Sequence, residues 1–262
     1  MEGEYTSTGQ RNNSVDMDYA KDFESRFLDI ALGRIHYMYH KGTGKNLIFL
    51  HGMGASGLSW KRLVEQLPGY YTVYLIDLFG QGQSSAPQMD YTVDAQVIML
   101  VQFIENLAIE NPCLIGHSYG GWIAASYAAQ FRSGGLVLED SAGTPDSFDR
   151  LAKSGKEDEY RKYFMQEAMK INNNKDYVIR SMLDEGFKRK FELTPKLLAG
   201  IVVPTLIIWG SKDPIEGVSG ADALKKGIKH SAVRIIDGAG HVPHVSHTKE
   251  VADAIQTFLT SF

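Results

Sequence analysis

Eight short apolar runs recur along the chain, and helix-like patterns separate most of them. The runs cover residues 27–30, 35–39, 47–50, 73–76, 113–115, 136–138, 206–209 and 233–236. From the third run onward most lack the polar alternation of a half-exposed strand, which indicates strands covered on both faces. The pattern therefore predicts an α/β fold with a mostly parallel sheet of about eight strands and helices on both faces. The first two runs alternate more, and we expect them to form an antiparallel edge.

The alternation of strands and helices stops over residues 145–197, where helix-like patterns occur without a convincing strand. Aromatic residues and methionines give this segment apolar faces, and lysines and arginines give it polar ones. Covering an active site is one use for such apolar faces, and an ordinary packed surface is the alternative. We predict a polar N-terminal tail over 1–24, a core over 25–144 and 198–262, and a small helical lid over 145–197.

Charge and cysteine content exclude several classes of protein. The net charge is −4, and the basic residues are interspersed with acidic ones, so nucleic acid is not an expected partner. Cys113 is the one cysteine, which excludes an intrachain disulfide and predicts a buried thiol suited to a reducing compartment. No stretch reaches the length of a membrane span. We expect a cytoplasmic protein, with monomer and dimer both open.

The run Gly116-His117-Ser118-Tyr119-Gly120 fits the G-x-S-x-G pattern of a nucleophile elbow. The apolar run 113–115 precedes it, and a helical stretch of small residues, 121–131, follows it. A side chain at such a tight strand-to-helix turn is held in a strained conformation with its hydroxyl exposed, and flanking glycines allow close approach. Ser118 is therefore the best candidate for a nucleophile.

A serine hydroxyl needs a base within hydrogen-bond reach, and that base needs a third group to orient it. Two turn-rich loops that follow strand-like runs offer these groups, with Asp213 in the first and His241 in the second. Three further carboxylates remain as alternative acids: Glu139, Asp140 and Glu216.

Four separated motifs occur in a characteristic order: His51-Gly52-Met53-Gly54, the segment 77–84, the elbow, and the loops of Asp213 and His241. In these motifs the chain resembles the α/β-hydrolase superfamily over about residues 25–262. The resemblance is to the lid-bearing branch of small serine esterases and carbon-carbon bond hydrolases.

That resemblance implies roles for particular residues. Ser118 would attack a substrate carbonyl, His241 would take its proton, and Asp213 would hold the imidazole and stabilise its cation. Asp213 is preferred over Asp140 because its loop resembles the usual acid loop of the family. The backbone amides of Met53 and Tyr119 would form the oxyanion hole.

Two other sequence patterns, one of a metal site and one of a dinucleotide-binding loop, are incomplete. The three-residue spacing of His241, His244 and His247 is compatible with a metal site, but no carboxylate or cysteine completes the set nearby in the sequence. The segment Gly80-Gln81-Gly82 lacks the third glycine of a dinucleotide loop and predicts a tight turn. We expect no metal and no cofactor, with His51 making a structural hydrogen bond and His244 supporting the His241 loop.

The predicted function is a carboxylesterase that cleaves short- to medium-chain esters of small molecules through an acyl-enzyme on Ser118. A carbon-carbon bond hydrolase of ring-cleavage products is the alternative on the same fold. It is weakened because only Arg132 resembles the asparagine and arginine expected near the nucleophile helix. A receptor-like protein that binds a ligand without turnover is the alternative from another class. The natural substrate, acyl-chain preference and stereoselectivity stay open.

Overall fold

The computed structural model describes residues 23–144, 153–170, 174–187 and 192–262. Within these ranges eight strands form one sheet in the order β1-β2-β4-β3-β5-β6-β7-β8. The strands are β1 Glu24–Ile30, β2 Gly33–His40, β3 Asn46–Leu50, β4 Thr72–Ile76, β5 Cys113–His117, β6 Gly135–Glu139, β7 Thr205–Gly210 and β8 Ser231–Ile236. Strand β2 pairs antiparallel with β1 and with β4, and all other pairs are parallel. The predicted mostly parallel sheet with an antiparallel edge is confirmed.

The central strands are apolar along their length because both of their faces are covered. Every residue of β4, β5, β6 and β7 is buried. Alternate residues point to opposite faces, so Ile48 and Leu50 of β3 pack in one apolar cluster while Leu47 and Phe49 pack in another. The edge strand β8 is exposed at its central four residues. The sheet thus has a hydrophobic core on each side.

Helices cover the two faces. They are a 3₁₀ helix at Gly57–Trp60, α1 Lys61–Val64, α2 Val93–Asn106, α3 Tyr119–Ala128, α4 Glu157–Lys170, α5 Asp176–Phe187, α6 Pro195–Ala199, α7 Ser219–Gly227, α8 Pro243–Ser246 and α9 Thr248–Leu259. Helix α2 begins after Thr92, whose hydroxyl accepts a hydrogen bond from the Ala95 amide at 3.0 Å. All ten residues of α3 are buried, so the helix after the elbow lies inside the protein. Across the described part of the chain, no helix has both the length and the apolarity required to cross a bilayer.

In the described part of the segment between β6 and β7 lie three helices, α4, α5 and α6. They pack through Ala168 of α4 and through Val178, Ile179 and Met182 of α5 into the larger apolar cluster. Tyr163 of α4 is 54% exposed. Residues 145–152 of the expected insertion and residues 1–22 of the expected tail lie outside the described residues.

Candidate active site

Ser118 lies at a sharp turn between β5 and α3, and its backbone has φ 51° and ψ −116°. A residue with a side chain rarely adopts positive φ, so the surrounding structure must hold it there. Two glycines permit the turn. A Cβ on Gly116 would lie 2.4 Å from the Gly120 carbonyl oxygen, and one on Gly120 would lie 2.3 Å from the Leu50 carbonyl oxygen. Steric necessity therefore explains both glycines of the motif.

The structure brings Ser118, His241 and Asp213 together from three loops. The Nε2 atom of His241 is 3.0 Å from Oγ of Ser118, and its Nδ1 atom is 3.0 Å from Oδ2 of Asp213. An ionised carboxylate can only accept a hydrogen bond, so Nδ1 carries a proton that it donates to Asp213. Nε2 of the neutral ring is then the acceptor for the Ser118 hydroxyl. The Asp213 side chain is fully buried, and that of His241 is 10% exposed.

Asp213 is held as an anion. Burial alone would raise its pKa, but hydrogen bonds from His241 and from the Ile215 amide hold the pKa of Asp213 below its ordinary value. Its Oδ1 atom accepts from the Ile215 amide at 2.8 Å and from the Glu216 amide at 3.2 Å. Glu216, an alternative acid by sequence, thus supports Asp213 with its backbone.

The other two alternative acids make different contacts. Glu139 accepts hydrogen bonds from the backbone amide and from Nδ1 of His244, both at 2.6 Å. Asp140 accepts a hydrogen bond from the Gly210 amide at 3.0 Å. The carboxylate within hydrogen-bond distance of the His241 ring is that of Asp213.

One group of acidic and histidine side chains among the described residues offers three atoms close enough to share a metal ion. Atoms of Asp140, Asp213 and His241 lie within 4.8 Å of one another. A hydrogen bond joins Asp213 to His241, and the carboxyl of Asp140 lies close to that of Asp213. The histidines of the three-residue spacing make separate contacts, since His244 bonds to Glu139 and Nδ1 of His247 is 2.9 Å from the Ser246 hydroxyl.

The loop that contains Met53 is fixed at both of its ends. The ring of His51 donates to the Gly52 carbonyl at 2.7 Å and accepts from the Leu78 amide at 3.0 Å, which is the structural role expected of it. The Gly54 amide donates to the side chain of Gln81. Met53 and Ser118 line one cavity, and Tyr119 begins α3 directly after Ser118. The assignment of the Met53 and Tyr119 backbone amides as oxyanion donors stays a prediction.

Two side chains that sequence reasoning left without a specific role also support this region. Nε2 of His117 donates to the His241 carbonyl at 2.6 Å. Burial and the neighbouring His241 and His244 rings lower the pKa of His117 well below its ordinary value, so this donor is neutral. Nδ2 of Asn174 donates to the Gly54 carbonyl at 2.8 Å and joins the Met53 loop to the inserted helices. These contacts span 124 and 120 residues, and no local pattern indicates them.

The support of the His241 loop by His244 is part of a buried cluster. The His244 ring stacks on Trp60 with centroids 4.0 Å apart and an interplanar angle of 25°. Its Nδ1 atom donates to Glu139, and both side chains of this pair are 1% exposed. The cluster anchors α8, the short helix that follows His241.

A cavity of about 210 Å³ opens in front of Ser118 and His241. Most of its lining side chains are apolar or aromatic, and they come from the Met53 loop, α4 and the loops after β7 and β8. The lining residues are Gly52, Met53, Ala55, Ser59, His117, Ser118, Tyr163, Phe164, Glu167, Ala168, Ile215, His241, Val242 and His244. Among the described residues that line the cavity, Glu167 is the acidic one, and neither lysine nor arginine occurs.

Comparisons with known proteins show which family the chain belongs to. The chain is 30% identical over 273 residues to Lipase 1 of Psychrobacter immobilis, which covers 90% of this chain and 84% of that protein. It is 29% identical over 272 residues to Lipase 3 of Moraxella sp. (strain TA144), covering 90% and 85%. The crystal structure of lip1 from Acinetobacter baumannii AYE superposes with a TM-score of 0.80 at 26% identity, covering 94% and 93%. The model of the alpha/beta hydrolase family matches residues 47–254, and the chain belongs to that family.

Proposed function

We propose that this protein is a serine carboxylesterase that uses Ser118, His241 and Asp213 to cleave small uncharged esters. The observation that carries the proposal is the single imidazole that contacts the Ser118 hydroxyl and the buried Asp213 carboxylate, at 3.0 Å each, beside an apolar cavity. Similarity to the two lipases supports a hydrolase of the esterase and lipase type.

The proposed reaction is acyl transfer in two steps. Ser118 Oγ attacks the ester carbonyl carbon while its proton passes to Nε2 of His241, and the carbonyl oxygen becomes an oxyanion. In this proposal the backbone amides of Met53 and Tyr119 donate to that oxyanion. When the ester C–O bond breaks, His241 returns the proton to the departing alkoxide. Water then repeats the sequence on the acyl-enzyme and releases the carboxylic acid.

The cavity indicates the substrate class. Its volume of about 210 Å³ lies below the roughly 300–1,000 Å³ of sites for drug-sized ligands, which favours short acyl groups. Phe164, Ala168 and Ile215 contribute apolar surface to it. An ionised acid group on the substrate would lose its hydration against this apolar surface at a large cost in free energy. We infer neutral esters.

The proposal includes a lid, formed by the inserted helices. Tyr163, Phe164, Glu167 and Ala168 of α4 line the cavity that contains Ser118. We infer that α4 covers the substrate and that the inserted helices decide acyl-chain preference.

The test is hydrolysis of p-nitrophenyl acetate, butyrate and octanoate with the wild-type protein and with Ser118→Ala. We expect acetate and butyrate to turn over faster than octanoate, and the variant to lose all but a residual activity. A fluorophosphonate probe should label the wild type at Ser118 and leave the variant unlabelled. Turnover that persists in Ser118→Ala, or no turnover of any ester, would refute the proposal.

A further inference from the structure

Asp140 occupies an unusual position directly after β6. Its backbone φ is +42°, a value that asparagine and aspartate tolerate better than most residues, and its side chain is fully buried. The Asp140 amide donates to the Ile208 carbonyl at 3.0 Å, and Oδ1 accepts from the Gly210 amide at 3.0 Å. Strained residues held by their surroundings are frequent at functional sites.

The second oxygen of Asp140 shows which protonation state fits the site. Oδ2 is buried, and within the described residues no donor reaches it. As part of a carboxylate it would be an unsatisfied buried acceptor. A protonated Asp140 carboxyl becomes a donor, for which the Asp213 carboxyl, with an oxygen within 4.8 Å of one on Asp140, offers an acceptor. A shared proton also relieves the repulsion of two adjacent buried carboxylates.

The charges around the pair decide where that proton lies. Burial and the charges of Glu139 and Asp213 raise the pKa of Asp140 to about 11. The pKa of Asp213 shifts in the opposite direction. The hydrogen bond that His241 donates to it helps to lower this pKa despite burial. Glu139 is hydrogen-bonded to His244. These interactions favour the proton on Asp140 over Asp213.

We propose that Asp140 is a positioning residue, a neutral carboxylic acid that donates a hydrogen bond to Asp213 and keeps that carboxylate ionised and aimed at His241. The inference rests on the proposed function of Ser118, His241 and Asp213. With this bond, the buried Asp213 anion receives donors from His241, from Asp140 and from the Ile215 and Glu216 amides. Asp140 would act only through Asp213 and would not touch the substrate.

The test compares Asp140→Asn with Asp140→Ala in p-nitrophenyl butyrate hydrolysis across pH. Asparagine is neutral, tolerates positive φ and can donate to Asp213 through its NH₂ group. We expect Asp140→Asn to keep kcat/KM within about 3-fold and to leave the acid limb of the pH profile in place. Asp140→Ala should lower kcat by about 10-fold or more with little change in KM, because Asp213 loses a donor.

An ionised Asp140 predicts a different result. Asp140 and His241 have atoms within 4.8 Å of each other, so removing a negative charge from Asp140 would move the acid limb of Asp140→Asn to lower pH by on the order of two units. That shift would overturn the inference, as would equal activity of the alanine and asparagine variants. If Asp140→Ala does not fold, the pH profile of Asp140→Asn decides alone.

A spectroscopic readout separates this inference from the proposed function. Infrared difference spectra of wild type minus Asp140→Asn at neutral pH should show the C=O stretching band of a protonated carboxylic acid. The band is expected whether or not the tested esters are substrates. Its absence would overturn the role of Asp140, and an inactive wild type that shows the band would contradict only the esterase proposal.

Discussion

Substituting Gly120 by alanine tests whether steric contact at the elbow controls both stability and rate. Gly120 is the second residue of α3, where helix propensity alone predicts that alanine stabilises by up to about 1 kcal/mol. The structure predicts the opposite sign. An added Cβ would lie 2.3 Å from the Leu50 carbonyl oxygen and 2.6 Å from that of His51, and both contacts are with backbone atoms.

The magnitude follows from these distances. To reach an ordinary contact of 3.4 Å, α3 and the end of β3 must separate by roughly 1 Å. Overpacking of this kind costs about 1–3 kcal/mol of unfolding free energy. The same movement separates Ser118 from the loop that holds Met53, and a misplacement of about 1 Å can cost on the order of 10²-fold in rate.

The assay combines guanidinium unfolding with kcat/KM on p-nitrophenyl butyrate. Gly240→Ala is the matched control for stability, because a Cβ at Gly240 meets no atom within 4 Å. We expect Gly120→Ala to unfold at lower denaturant concentration and to lose about 10²-fold in kcat/KM, and Gly240→Ala to stay within about 0.5 kcal/mol of wild type. A Gly120→Ala protein as stable and as active as wild type would refute the steric argument.

Further predictions concern the triad acid Asp213, the Met53 loop, Cys113 and the pH dependence of stability. Asp213→Asn should lower kcat by about 10⁴-fold with the fold retained, as circular dichroism and kinetics would show, because an amide favours the wrong imidazole tautomer. Asn174→Ala removes a buried donor to the Gly54 carbonyl and should lower the free energy of unfolding by about 2 kcal/mol, measured with denaturant. An unchanged unfolding midpoint would contradict this prediction. Burial raises the pKa of Cys113 to about 12, so a thiol reagent should modify it only in denaturant. Hydrogen bonds to Asp77 outweigh its burial and lower its pKa below the unfolded value of 3.8. Its stabilisation should therefore be present above that value and be lost as pH falls through the lower folded pKa, and Asp77→Asn should flatten this loss in unfolding experiments at graded pH.

Local patterns were sufficient for the elements of the fold. All eight apolar runs lie on strands. For the central strands the physical reason is that a strand covered on both faces needs apolar residues at successive positions. The elbow was equally visible, since only glycine fits at positions 116 and 120, where a Cβ would lie 2.4 and 2.3 Å from backbone oxygens. Strand ends were less accurate. Strand β8 begins at Ser231, two residues before the predicted run, because edge pairing with β7 extends it beyond the apolar residues.

The contacts that hold the active-site loops in place could not be predicted from local sequence patterns. The expectation that His244 supports the His241 loop is confirmed, but its partner Glu139 was considered only as an alternative acid. His117 was the variable position of the elbow motif, and its bond to the His241 carbonyl depends on how two loops approach each other.

The sequence by itself determined the strands, the strained turn at Ser118 and the order in which candidate groups follow one another, because each depends on residues close together in the chain. The tertiary structure decided which of four carboxylates faces His241. Ser118 and His241 are 123 residues apart, and Asp213 is 28 residues from His241. Their contacts depend on the parallel sheet, which brings the loops after β5, β7 and β8 to one edge. The same packing buries Asp140 behind Asp213 and makes one of the two acids a neutral donor and the other an anion.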